Sequence, residues 1–256
     1  MRLTSGADKA LVLGTALIVW EVTARAIGSV FLPGPIAVGA TFLRVLEEGD
    51  ATGLTLARHT IASLQRVLLG FAIAAFAAVP LGLLLGVKER LYRATSVLVD
   101  TIRFVPPLAW VPIAIMLMRG PQRYLFIIVL GAFFPILLAT MGGVARVNLI
   151  HLDVFKVFGF GRWDRVRKVV LPSALPEIVS GLRISLGISW GILVAAELVG
   201  AGVDGLGRMM LTHAELLQTD VVVVGMVVIG VLGYLMNTAL LRVESWLFRW
   251  RPKVAL

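Results

Sequence analysis

The chain has 256 residues, of which 59% are hydrophobic and 15% charged, with no cysteine and a formal net charge of +9. Its mean hydropathy of +0.94 excludes an ordinary water-soluble domain, which needs far more polar surface to cover a core of this length. The three histidines (His59, His151, His213) are widely spaced, so no local cluster offers a metal site. The basic residues fall between apolar runs, which fits topogenic cations better than nucleic-acid binding.

Several apolar runs reach the ~20 residues that cross a bilayer, and they predict an all-α, polytopic membrane protein of one domain, 1–256. A short polar start leads into a first span over residues 10–27. It is long for a signal peptide and has no clear small-x-small site after it, so it is expected to be retained. Glu21 and Arg25 lie one turn apart within it and can pair. Phe31-Leu32-Pro33-Gly34-Pro35 breaks the helix. The stretch that follows sets Phe42, Leu43, Val45 and Leu46 against Glu47 and Glu48, as a helix on the membrane surface would.

The second span runs to about Val87, with a kink expected at Pro80 and a close helix contact at Gly82 and Gly86. Residues 88–93, KERLYR, read as a tight basic loop. The third span, about residues 96–118, holds Asp100 and Arg103 and is broken at Pro106-Pro107. The carbonyls freed there are tolerated only against protein or a water-filled cavity. A fourth span covers about 124–144, a fifth 178–201 and a sixth 221–241. The segment GVDGLGRMMLTHAELLQTD between the last two reads as a polar loop.

Residues 153–172, DVFKVFGFGRWDRVRKVVLP, are the longest polar interruption. Leu152, Phe155 and Phe158 recur every third residue, as do Trp163, Val166 and Val169, so each set lines one face of a short helix. Gly159 and Gly161 fall between the runs, where a sharp turn needs a residue without a β-carbon. Pro172 is expected to end the second run. Two short amphipathic helices meeting at a glycine corner follow, with six cations counted from Arg146. The exposed side of Trp163 is left open: it can pack on the spans or enter a partner. Six spans put both termini on one side. Counting cations places that side, and the corner, in the cytoplasm.

The same stretch resembles the signature loop of ATP-binding-cassette importer permeases. Gly159, nine residues, Val169, one residue and Leu171-Pro172 fit that pattern, while Asp153-Val154-Phe155 stands where Glu-Ala-Ala is usual. With Phe31–Pro35 and the segment after it, the chain is similar to the aliphatic sulfonate, taurine and nitrate permease group. The resemblance implies a type I permease fold in a bacterial cytoplasmic membrane. It also implies a second permease copy, a cytoplasmic ATPase dimer gripping the loop (about 145–177), and a periplasmic or lipid-anchored solute-binding protein. Asp153, Phe155, Gly159, Gly161, Trp163, Leu171 and Pro172 would couple to the ATPase. The cargo it implies is a small anion, with a pyrimidine precursor of thiamine as the alternative.

None of the five lysines follows a glycine, so the phosphate-cradling Gly-Lys pair is absent. ATP and its Mg ion are therefore expected on the separate ATPase, and this chain carries no cofactor and is no enzyme. Gly187-Ile188-Ser189-Trp190-Gly191 matches a nucleophile elbow in letters only. It sits within an apolar helical run that has no His, and a small-residue helix contact is the better reading. Glu197, Arg103 and Arg183 are charges within spans, which are costly in lipid. With Pro106 and Pro107, the first two are candidates to line a translocation path. The rival class is a secondary transporter or channel acting alone, which predicts paired broken helices in corresponding halves.

Overall fold

The computed structural model describes residues 6–200 and 202–248, which are helical without strands. In chain order the helices are α1 (Gly6–Ile27), α2 (Pro35–Glu47), α3 (Leu56–Val87), α4 (Glu89–Arg103), α5 (Val111–Leu117) and α6 (Gln122–Ala145). They continue with α7 (Leu149–Val157), α8 (Arg162–Arg165), α9 (Leu171–Val199), α10 (Leu206–Glu215) and α11 (Thr219–Leu247). Five helical stretches are long and apolar enough to cross a membrane: Asp8–Ile27, Leu56–Val87, Gln122–Ala145, Arg162–Val199 and Thr219–Leu247. A sixth crossing is available if Arg90–Arg103 and Pro107–Leu117, bent by 77°, are counted as one. The chain is thus a multi-pass membrane protein.

Contacts group the chain into two compact units, the first comprising residues 1–63 and 202–231, the second residues 64–201 and 232–256. In the second unit, α6 and α9 pack closely on each other, and α3 lays a row of small residues along α6. Ala74 and Ala78 are buried there with Ala132, Ile136 and Leu137. A β-carbon at Gly70, Gly82 or Gly86 would fall 2.7–2.8 Å from Ile128, Thr140 or Val144. Lipid supplies no hydrophobic drive between helices, so close approach of backbones is what holds such a pair together. The Ser185 hydroxyl adds a buried hydrogen bond to the Ala132 carbonyl at 2.9 Å.

The first unit is held by polar ties. The Thr41 hydroxyl donates to Asp220 Oδ2 at 2.8 Å, and the Thr219 hydroxyl donates to the Val30 carbonyl. Glu21 pairs with Arg25 at 2.6 Å and also accepts the Ile36 N–H at 3.3 Å, fixing how α2 leaves the break after α1. Val38, Thr41 and Val45 are the buried face of α2, while Leu43 and Leu46 are exposed.

Several expectations give way. KERLYR is not a loop: Lys88 alone separates α3 from α4, because the residues after it are good helix formers. The third span, by contrast, is broken where expected: two adjacent prolines remove two donors, and a short 3₁₀ turn, Pro107–Trp110, re-aims the chain. Pro172 does not end its run. A π-helical turn, Val166–Val170, widens the helix just before it, with the Leu171 N–H bonded back to the Val166 carbonyl, and the helix continues as α9. The supposed polar loop after α9 contains α10, with Leu206, Met209 and His213 buried. α3 is continuous through Pro80. The basic tail beyond residue 248 lies outside the described residues.

Candidate functional site

The glycine corner forms as a left-handed turn. α7 ends at Val157, Gly159 takes φ +74°, and α8 begins after Gly161, whose φ of −62° is open to any residue. Only Gly159 therefore needs to be glycine, since a β-carbon in the left-handed region is strained. Leu152 and Phe155 pack on a cluster of Val144, Val147, Val169, Val170 and Ala174. Phe158 leaves that face because the helix has ended one residue earlier. In its place Phe160 packs at a tilt on Phe155 at 4.8 Å between ring centroids, with the Lys168 ammonium 4.9 Å over the Phe160 ring.

The outer surface of this elbow is apolar. Val157 is 86% exposed, Trp163 76% and Phe158 74%, with Val154 and Ile150 exposed beside them. Trp163 thus does not pack on the spans. Asp153 is exposed on α7, whereas Leu171 and Pro172 sit at the start of α9, on the helix that carries the elbow into the membrane. An Arg146–Glu177 ion pair ties the end of α6 to α9 across the base of the elbow.

The residues considered for a pathway separate into two places. Arg103 and Pro107 line a cavity of about 460 Å³ with Trp110, Gly131 and Phe134, next to the bend at Pro106. Arg103 is paired there with Asp100 at 3.0 Å and lies 4.9 Å over the Phe104 ring. Glu197 lies elsewhere and is fully buried, bonded to Arg66 at 2.7 Å. The Arg66 guanidinium also stacks 4.7 Å over Tyr124, whose ring presses on Gly200. Arg66 is thus buried as well. Arg183 pairs with Glu244 at 3.7 Å. A β-carbon at Gly187 or Gly191 would meet nothing within 4 Å among the described residues, so no close helix contact there requires a glycine. The Ser189 hydroxyl is buried and donates to the Ser185 carbonyl.

One cluster has no counterpart in the sequence reading. Two histidines from distant positions meet at Asp50 in the first unit, with His59 Nε2 3.1 Å and His213 Nε2 4.0 Å from Asp50 Oδ2. The Gly205 N–H donates to His59 Nδ1, so Nε2 carries the proton shared with Asp50. His213 is bonded to the Met209 carbonyl through Nδ1, and its Nε2 accepts the Ala51 N–H. Burial works to raise the Asp50 carboxyl, but the Thr52 hydroxyl, the Thr52 and Leu54 N–H groups and nearby His59 outweigh it. The net effect holds the carboxyl below its ordinary range. Every hydrogen-bonding position is used internally, and no group of three His, Cys, Asp or Glu suited to a metal occurs among the described residues. The only local sign of it is Asp50-Ala51-Thr52, an Asx-type turn.

Comparison with known proteins decides what this architecture is. Residues 78–251 match the family of binding-protein-dependent transport system inner membrane components. The chain belongs to that family. This permease is 33% identical to the taurine transport system permease protein TauC of Escherichia coli, over 94% of this chain and 89% of that protein. It is 34% identical to the bicarbonate transport system permease protein CmpB of Synechococcus elongatus, over 91% and 85%. A putative ABC transporter permease of Methanocaldococcus jannaschii is 36% identical over 92% and 89%. Among solved structures, the MetNI methionine ABC transporter in an inward-facing conformation superposes with a TM-score of 0.67, covering 75% of this chain and 95% of that one at 24% identity. The type I importer permease fold is therefore the fold of this chain.

Proposed function

We propose that this permease is the membrane-spanning subunit of an ATP-driven importer, worked through its elbow by a separate ATPase. The observation that carries the reading is the exposed apolar surface of Val157, Phe158 and Trp163, backed by a helix that runs unbroken from Arg162 to Val199. Large apolar side chains in water mark a surface made for another protein. The helix behind them gives a rigid lever, so a push on the elbow moves a membrane-spanning segment.

Two copies of the chain form the pathway in this reading, with both termini and the elbow in the cytoplasm and a binding protein delivering cargo on the opposite side. ATP and its Mg ion bind the ATPase dimer. Closure of that dimer draws the two elbows together and switches the pathway between inward and outward access. The cargo is a small anion of the sulfonate, taurine, nitrate or bicarbonate kind, which the names of the relatives support. Arg103 and Pro107 border the pathway at the bend, while Glu197 acts in packing. Arg103 meets anions only in competition with Asp100, so selection rests mainly on the binding protein.

The test is purification in mild detergent followed by reconstitution. An ATPase should co-elute, and uptake into liposomes should require it together with ATP. Uptake by this chain alone, driven by an ion gradient, would falsify the reading.

A further inference from the structure

Behind the elbow, the second unit encloses a cleft of about 980 Å³ between the ends of α3 and α6, the first turns of α4, and the stretch from α7 into the π-helical turn. Its wall is apolar, with Leu138, Met141 and Val166 in it, and only three of its lining side chains are polar: Tyr92, Arg162 and Arg165. Arg165 Nε is buried and has no hydrogen-bond partner. Neither Arg162 nor Arg165 has an ion-pair partner among the described residues. The carboxylates nearest in sequence are engaged elsewhere, Asp164 with Lys168 at 3.0 Å and Glu177 with Arg146. A buried guanidinium N–H without an acceptor is costly, and two guanidinium groups in one cleft call for an anion with several acceptor oxygens.

From this geometry we infer that the cleft binds an anionic phospholipid, its phosphate between Arg162 and Arg165 and part of an acyl chain along Leu138 and Met141. A free inorganic anion satisfies the arginines but leaves the apolar wall uncovered, whereas a lipid covers both. The position fits as well. The cleft lies at the ends of α3 and α6, two bilayer-length helices, which is the level where headgroups and basic pockets between helices meet. A lipid seated there joins the base of the elbow to α3 and α6, so its presence stiffens the joint through which the elbow moves its helix. This assignment concerns lipid alone and stands whether or not an ATPase drives the chain.

The experiment is native mass spectrometry of the full-length chain in detergent, titrated separately with phosphatidylglycerol, phosphatidylcholine and inorganic phosphate. Phosphatidylglycerol should bind at least tenfold more tightly than phosphatidylcholine, and millimolar phosphate should not displace it. The double variant R162Q/R165Q should lose that preference. Met141→Trp, which fills the cleft and leaves both arginines in place, should weaken phosphatidylglycerol binding several-fold, and it decides the matter if the double variant fails to fold. Equal binding of the two lipids, or a phosphatidylglycerol affinity unchanged in Met141→Trp, overturns the assignment. Displacement by inorganic phosphate at matched concentration also overturns it, in favour of a free-anion site.

Discussion

At the elbow, Val157, Phe158 and Trp163 stand largely exposed. Around Asp50, by contrast, two buried histidines, a carboxylate and five backbone groups hydrogen-bond one another. The first surface is incomplete within this chain and the second is complete. That contrast separates the parts built for a partner from the parts built to hold the chain's own shape, and composition does not reveal it. The aromatic elbow looks like core by residue type, and the Asp–His cluster looks like a catalytic or metal site. Glu197 and Arg66 belong with the second kind, as a charge pair closed within the protein.

Perturbing each kind should give opposite signatures. The largest stability effect is expected at the buried pair. Glu197→Ala leaves the Arg66 guanidinium buried without its carboxylate, a loss on the order of 3–5 kcal/mol. Thermal unfolding in detergent should show it, with recovery in an apolar double variant such as Arg66→Met with Glu197→Leu. Trp163→Ala should do the reverse. It should lower affinity for the ATPase by about 2 kcal/mol, roughly thirty-fold, and leave the melting temperature nearly unchanged because the residue is 76% exposed. If that melting temperature falls with affinity, the elbow is a structural element and the contrast fails.

Gly159→Val tests the corner itself. A β-branched residue at φ +74° carries strain of about 1–3 kcal/mol, so the chain should still insert in the membrane while uptake is lost. Gly161→Ala, at an ordinary φ, should transport normally. The smallest effect concerns acid. Because the folded Asp50 carboxyl titrates below its unfolded value, its contribution is fully present above pH ~4 and fades as the pH falls through the folded value. Unfolding measured from pH 7 to 3 should show this loss in the native protein, and Asp50→Asn should remove that part of the pH dependence while lowering stability at neutral pH.

The sequence alone determined the membrane class, the order of the apolar helices and the position of the elbow. Hydropathy, glycine and proline act within one or two turns of chain, and of the two structures lipid admits, helices and closed barrels, apolar runs of bilayer length specify helices. It also marked Gly159 and Gly161 alike as the corner, and the folded backbone then singled out Gly159, at φ +74°. Tertiary structure decided the rest. Arg66 with Glu197 and His59 with His213 are 131 and 154 positions apart, so no local pattern announces that the first two pair or that the two histidines meet at Asp50. The passage through Pro172 and the outward turn of Trp163 were decided in the same way. Both depend on how a helix widens and which neighbours it meets, and such facts come into being only when distant segments pack.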